Sequence, residues 1–153
     1  MNKKLLIAYL NWFYTLELEQ VTLYKEQARA SNDDYIKEVL KHLAAIEQRH
    51  VENISNSLKR LGTNPSKVGE IIGPIFGKPF SELTTMFGTV NLFRVNILLE
   101  TRATRDYQNL IERVDDKELL NVLIENSIEE DLHRSWFIEQ KRQLNKQKQS
   151  RKN

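Results

Sequence analysis

The chain lacks cysteine, and its glycines and prolines are confined to one stretch. None of the 153 residues is cysteine, which excludes disulfides, thiolate metal sites and thiol catalysis on this chain. All five glycines and three prolines lie between residues 62 and 88. Because both residue types are costly inside helices, the long stretches on either side are free to be helical. No apolar run approaches the roughly 20 residues of a membrane-spanning helix, so we expect a cytoplasmic protein.

Two turn signals split these stretches and predict four helices. Residues 31–34 interrupt the first stretch, and Asp115 with Glu118 has the spacing of a capping box in the second. The predicted helices span residues 4–30, 33–61, 81–113 and 116–146. Within each, apolar residues recur at steps of three and four, which is typical of a helix with one buried face. We therefore predict an all-α four-helix bundle of two antiparallel helix pairs, joined by a long crossover containing the glycines and prolines.

The length fits one domain that ends in a basic tail. We predict a single four-helix domain over residues 1–146 and a tail over residues 147–153. From residue 141 onward there are six basic residues and no acid, so the rest of the chain is net acidic. Such a run can bind nucleic acid or anionic lipid, but it is more often a solvated helix end. Nucleic acid is not an expected partner.

A repeated polar motif interrupts the apolar face of all four predicted helices. Each half of the chain has a glutamate, a second glutamate 30 residues later, and a histidine three residues after that. The two sets are Glu17, Glu47 and His50, and, displaced by 83 residues, Glu100, Glu130 and His133. Residues three apart lie on one helix face, about one turn from each other. Because unpaired charges are costly in a core, polar residues at four corresponding places indicate a functional site.

These six residues predict a two-metal site at the centre of the bundle. Four carboxylates so close together in a dry core cannot all stay ionised without cations. Two divalent cations balance the four negative charges, and carboxylate with imidazole suits iron or manganese, while zinc stays open. A single Glu-x-x-His is more often a surface pair, but the duplication with upstream glutamates favours metal binding. We expect two iron ions, with manganese or a mixed pair as alternatives.

Other polar residues near the motif have weaker assignments. Tyr24 and Tyr107 follow Glu17 and Glu100 by seven residues. They either hydrogen-bond the metal ligands or serve as aromatic core residues, and the sequence leaves both readings open. Four charged or titratable residues are predicted to lie off the buried face: Glu19, Glu26, His42 and Arg49, of which Arg49 is expected to form a surface or buttressing ion pair.

At the six motif residues the chain resembles the ferritin-like di-iron carboxylate superfamily, over roughly residues 5–140. The resemblance implies the ferritin-like bundle with those residues as ligands. Rubrerythrin-like proteins and the demethoxyubiquinone hydroxylase family look most similar. The extra glutamate that rubrerythrins place on the third helix is missing, because Ile97 and Ala103 occupy the flanking turns. The apolar stretch 68–87 looks more like the hydroxylases, in which this region faces a membrane, so a peripheral membrane contact is allowed.

The motif, the resemblance and the basic tail together allow three functions, given in decreasing order of expectation. The first is a di-iron or di-manganese oxidoreductase that activates dioxygen or hydrogen peroxide, rubrerythrin-like or hydroxylase-like. Because the chain has no cysteine for an electron-transfer centre, such an enzyme needs an external electron donor. The second is an iron-binding or ferroxidase protein without an organic substrate. The third is a bundle that acts as a binding module through its basic tail. We also expect a homodimer or higher oligomer.

Overall fold

The computed structural model describes residues 1–75 and 89–150, and these ranges contain helices and no strand. The helices are α1 (Lys3–Ala30), α2 (Asp34–Arg60), α3 (Ile72–Ile75), α4 (Thr89–Ile111) and α5 (Lys117–Ser150). They divide into two compact units. The first hairpin consists of α1, α2 and the segment through residue 75, and the second hairpin consists of α4 and α5. Within the described ranges, no helix combines the length and apolar content that crossing a bilayer requires.

Aspartate side chains start the second helix of each hairpin. Asp33 Oδ1 accepts a hydrogen bond from the Ile36 N–H at 3.0 Å, and Asp116 Oδ1 accepts one from the Leu119 N–H at 2.7 Å. Each bond satisfies an amide that has no partner within its own helix. The residue that caps α5 is therefore Asp116, one position after the predicted Asp115, and Leu119 stands where a capping box would need a glutamate.

Gly62 ends α2 in a Schellman motif. Its φ of 77° is the left-handed conformation that glycine adopts without steric cost. The Gly62 N–H donates to the Lys59 carbonyl at 2.9 Å, and the Thr63 N–H donates to the Leu58 carbonyl at 3.1 Å. This pair of bonds satisfies carbonyls at the helix end and turns the chain away from α2.

The other helix bounds agree with prediction except at α4 and α5. Residues 81–88, predicted as the start of the third helix, lie outside the described residues, and α4 is described from Thr89 to Ile111. Helix α5 continues to Ser150, beyond the predicted end at residue 146. No glycine or proline follows residue 88, and Arg142 pairs with Glu139 one turn earlier at 2.7 Å. Nothing local therefore stops the helix at residue 146.

Each hairpin buries a stripe of large apolar side chains on both of its helices. In the first hairpin these include Leu10, Phe13, Leu16, Tyr24, Leu40, Ile54 and Leu58. In the second they include Phe93, Leu99, Tyr107, Leu110, Leu123 and Phe137. Each hairpin also has one tryptophan beside phenylalanine. The ring of Trp12 is 5.2 Å from that of Phe13, and the ring of Trp136 is 5.8 Å from that of Phe93.

A second face of α1 is covered by the segment that follows α2. Asn11, Thr15 and Glu19 are spaced four residues apart, so they share the helix face away from Glu17. Their side-chain oxygens accept, at 2.6–3.1 Å, the backbone N–H groups of Ser66, Val68, Ile71 and Ile72. We call residues 66–72 the strap. Four of its backbone N–H groups thus find hydrogen-bond acceptors on α1, and the side chains of Ile71 and Ile72 are buried.

Candidate metal centre

The first hairpin brings Glu17, Glu47 and His50 together in its interior. All three side chains are completely buried. His50 Nδ1 lies 3.0 Å from Glu47 Oε2 on its own helix and 3.8 Å from Glu17 Oε2 on α1. One ligand atom from each of the three residues lies within 4.8 Å of the others. We call these residues the first triad.

The second hairpin repeats this arrangement with Glu100, Glu130 and His133. The two glutamates are completely buried and His133 is 3% exposed. His133 Nδ1 lies 3.7 Å from Glu100 Oε1 across the helix pair, close to the corresponding 3.8 Å distance in the first hairpin. One ligand atom from each residue again lies within 4.8 Å of the others. We call these residues the second triad.

The helix geometry explains both triads. Glu and His at positions i and i+3 of one helix point to the same side, about one turn apart. The antiparallel partner helix of the same hairpin contributes the remaining glutamate from its own buried stripe. In both hairpins the imidazole Nδ1 is the ring nitrogen that faces the carboxylates. The sequence repeat therefore produces two similar clusters of one imidazole and two carboxylates.

The donor atoms of each triad fit a first-row transition metal. Ligands at about 2.0–2.2 Å from one ion lie no more than about 4.4 Å apart. The observed spread of up to 4.8 Å can therefore close with side-chain shifts of a few tenths of an ångström. Carboxylate oxygen with imidazole nitrogen is a donor set that suits iron or manganese, so the residues present fit the expected metal.

The two tyrosines that follow the first glutamate of each triad are both completely buried. In the second hairpin, Asn126 Nδ2 donates a hydrogen bond to the Tyr107 hydroxyl at 3.1 Å. The position that corresponds to Asn126 in the first hairpin is Leu43, which cannot make this bond. Tyr24 and Tyr107 thus both lie in the core, and the bond from Asn126 to Tyr107 has no counterpart at Leu43.

Three of the four residues predicted off the buried face lie at or near the surface. Glu26 forms an ion pair with Arg29. His42 is exposed, with Nδ1 2.9 Å from the carbonyl oxygen of Glu38 on its own helix. Arg49 is exposed as well.

Glu19 has a structural role that the sequence interpretation missed. It is half-buried beneath the strap, and its carboxylate accepts the N–H groups of Ile71 and Ile72. Partial burial raises the pKa of Glu19 above its ordinary value of 4.5, although the two N–H groups act in the opposite direction. The sequence signal for this role was the four-residue spacing of Asn11, Thr15 and Glu19, which places three polar residues on a helix face outside the apolar stripe.

Comparison with known proteins bears on the fold. No protein-family model matches the chain, and no curated protein matches it. Among solved structures, it is similar to a dodecameric thioferritin, the bacterioferritin-related protein from Bacteroides fragilis. The TM-score is 0.81 at 18% sequence identity, and the match covers 98% of this chain and 92% of that chain. The chain has the ferritin-like fold.

The ferritin-like fold confirms the predicted all-α, ferritin-like four-helix bundle. Such a bundle places side chains from facing helices in its interior, where metal sites of this fold are built. Both triads lie on the buried faces of their hairpins. Fold likeness alone does not specify a reaction, so the function depends on the residues of the triads.

Proposed function

We propose that this ferritin-like chain binds iron at its two triads and oxidises ferrous iron there. The observation that carries the proposal is the presence of two buried carboxylate–histidine triads with matching residue types and distances. A fold shared with a protein described as a thioferritin supports iron as the metal. Six residues would hold the ions: Glu17, Glu47, His50, Glu100, Glu130 and His133.

In this proposal ferrous iron is the substrate and dioxygen or hydrogen peroxide is the oxidant. Two ferrous ions give up two electrons, which with two protons convert one dioxygen to hydrogen peroxide. The two carboxylates of each triad favour the ferric product, because their negative charge interacts more strongly with the more highly charged ion in a buried site. Complete burial of the glutamates also keeps bulk water away from the ions.

A second function uses the same residues for chemistry on another substrate. A rubrerythrin-like or hydroxylase-like oxidoreductase would return the iron to its ferrous state after each cycle, which requires two electrons per turnover. The chain has no cysteine with which to bind a redox centre, so a separate donor would supply them. Repeated oxidant consumption in the presence of a donor would favour this function over a ferroxidase.

Metal content per chain is the experiment that tests the proposal. The metal-free protein is loaded with ferrous iron under anaerobic conditions, desalted and analysed for iron, as wild type and as Glu47→Ala and Glu130→Ala. We expect about two ions per wild-type chain and a clear loss in both variants. Admission of air should then oxidise the bound iron in the wild-type protein, followed by optical absorption and oxygen uptake.

The matched controls are Glu52→Ala on α2 and Glu125→Ala on α5, two exposed glutamates on the same helices. Both should retain the wild-type iron content. Wild-type protein that holds no iron after desalting would contradict the proposal. Equal iron loss in the controls and in the triad variants would contradict the ligand assignment.

We further propose that copies of this chain associate through the outer face of α5. Four large apolar residues are exposed outside the buried stripe of this helix: Ile124, Ile128, Leu132 and Ile138, at 38–62% exposure. The corresponding residues of α2 are Lys41, Ala45, Arg49 and Ser55. A hairpin of this type therefore does not require an apolar outer face, and an exposed apolar stripe indicates contact with a partner.

The charges along α5 favour a second, antiparallel copy as that partner. Residues 115–131 contain seven acids and one base, whereas residues 134–148 contain five bases and one acid. Two copies related by a two-fold axis across the stripe would place each acidic half against a basic half. The similar thioferritin is described as dodecameric, which is consistent with self-association.

A further inference from the structure

Gln20 is a buried amide that has no hydrogen-bond partner among the described residues. Its side chain is completely inaccessible, and neither Nε2 nor Oε1 makes a hydrogen bond. Burying an amide without a partner is costly, and native proteins satisfy nearly all such groups. An unsatisfied amide in a core therefore requires an explanation, such as a water, an ion or a ligand that completes its hydrogen bonds.

The position of Gln20 in the repeat points to a ligand. Gln20 follows Glu17 by three residues, the same spacing that separates Glu47 from His50 on α2. It therefore lies on the face of α1 that bears Glu17, in the position where α2 and α5 each have a histidine. The corresponding residue of α4 is the completely buried Ala103, which has no polar side chain to offer.

Another buried glutamine on the same helix shows that α1 does not by itself leave such amides unsatisfied. Gln27 is 2% exposed, two turns from Gln20, and it takes part in an interaction within the structure. Gln20, one turn from Glu17, is thus left without a partner in the described part of the chain, on a helix that satisfies another buried glutamine. A structural water unrelated to metal is the competing explanation, and the experiment below separates the two.

We propose that Gln20 binds a small anionic ligand of the iron held at the first triad, of the class that includes hydroxide, hydroperoxide and azide. The inference rests on the proposed iron site. The amide Nε2 donates to the anion, and Oε1 can accept from a protonated form. Because Ala103 replaces Gln20 in the second hairpin, the same amide contact cannot form beside the second triad.

Azide is the probe for this inference, because it binds ferric iron without turnover. The ferric-loaded wild-type protein and its Gln20→Met variant are titrated with azide and followed by optical absorption. Methionine keeps the length and flexibility of glutamine and removes both hydrogen-bonding atoms. Loss of a hydrogen bond to a charged group should weaken azide binding about tenfold. Gln27→Met is the matched control, and its azide affinity should stay within about twofold of wild type.

Thermal unfolding of the metal-free variants distinguishes a ligand contact from a structural water. Removing an unsatisfied amide should leave the melting temperature of Gln20→Met equal to or above that of wild type, whereas Gln27→Met should melt lower. Gln20→Leu repeats the comparison if methionine packs poorly. Unchanged azide affinity in a folded Gln20 variant, or a melting temperature that falls as far as in Gln27→Met, would overturn the inference.

Iron content of the same samples separates failure of this inference from failure of the proposed function. About two ions per chain in both wild type and Gln20→Met, with equal azide affinity, would overturn only the role of Gln20. Wild-type protein without iron would overturn both.

Discussion

Glu17, Glu47 and His50 in the first hairpin recur 83 residues later in the second, and the distance between histidine and the facing glutamate is almost the same in both. Away from the triads the hairpins differ. Thr15 on α1 accepts a hydrogen bond from the strap, whereas its counterpart on α4, Leu98, is 57% exposed.

The contrast shows which parts of the repeat are constrained by chemistry and which by neighbours. The triads require particular donor atoms at particular spacings, and there the hairpins agree. The outer faces require only that their side chains suit whatever covers them, and there the two hairpins differ. The strap covers one face of α1 in the first hairpin, whereas the second exposes apolar side chains on α4 and α5. Gln20 and Ala103 mark a further difference, one turn from the shared glutamate.

Replacing the triad histidines should have the largest effect and tests whether the two triads are equivalent. We expect His50→Ala and His133→Ala each to reduce iron from about two ions per chain to about one, and to weaken the affinity for the lost ion by more than about 100-fold. Elemental analysis and anaerobic ferrous titration provide the measurement. His42→Ala, on the exposed face of α2, should keep both ions. Unequal iron loss in the two triad variants would disprove the equivalence, and iron content equal to that of His42→Ala in both would disprove the ligand role of the histidines.

Core truncations at matched positions test whether the two hairpins are packed equally well. Leu16 and Leu99 are 83 residues apart and both completely buried. Leu16→Ala and Leu99→Ala should each lower the free energy of unfolding of the metal-free protein by about 3 kcal/mol. Urea unfolding followed by circular dichroism measures both. The adjacent, exposed Leu98→Ala should cost less than about 0.5 kcal/mol, and a much smaller loss at Leu99 than at Leu16 would mean that the second hairpin is looser.

A lysine on the outer face of each hairpin tests the difference between those faces. Ile128 on α5 corresponds to Ala45 on α2, and both are exposed. Ile128→Lys should weaken self-association by about 2 kcal/mol per contact, whereas Ala45→Lys should leave it unchanged. Size-exclusion chromatography with light scattering reports the assembly mass relative to the 18.0 kDa chain. The same mass for both variants and wild type would rule out the α5 face as the interface.

The smallest expected effect is at Glu19, which has no acidic counterpart because Arg102 occupies that position of α4. Burial raises the folded-state pKa of Glu19, so folding favours its protonated form. That contribution is complete below pH 4.5 and is lost as the pH rises through the folded-state pKa. The neutral Glu19→Gln variant should therefore be more stable than wild type above that pKa, by less than about 1 kcal/mol after screening by water.

Urea unfolding at several pH values, as the difference between variant and wild type, isolates Glu19 from the other titrating groups. Glu52→Gln, on an exposed position of α2, should show no such pH-dependent difference. A Glu19→Gln protein that is less stable than wild type at neutral pH would mean that the N–H groups of the strap outweigh burial.

The sequence predicted the four long helices and the six triad residues because both depend on the spacing of residues along the chain. Steps of three and four specify which helix face is buried, and the i, i+3 pairs are independent of the rest of the fold. The strap was not predictable, since it joins Asn11 to Ser66, 55 residues away. The exposed stripe of α5 was not predictable either. The residue type of Ile128 is the same whether its side chain packs in the core of its own chain or against a second copy.

The division of the two tryptophans between the hairpins gives the protein a pair of built-in optical reporters. Trp12 beside Phe13 belongs to the first hairpin, and Trp136 beside Phe93 belongs to the second. Replacing either tryptophan by phenylalanine leaves a single tryptophan, located in one known hairpin. The tryptophan fluorescence of Trp12→Phe protein would then report on the second hairpin alone, and that of Trp136→Phe protein on the first. The order in which the two hairpins respond to added metal or unfold can therefore be measured without an added label.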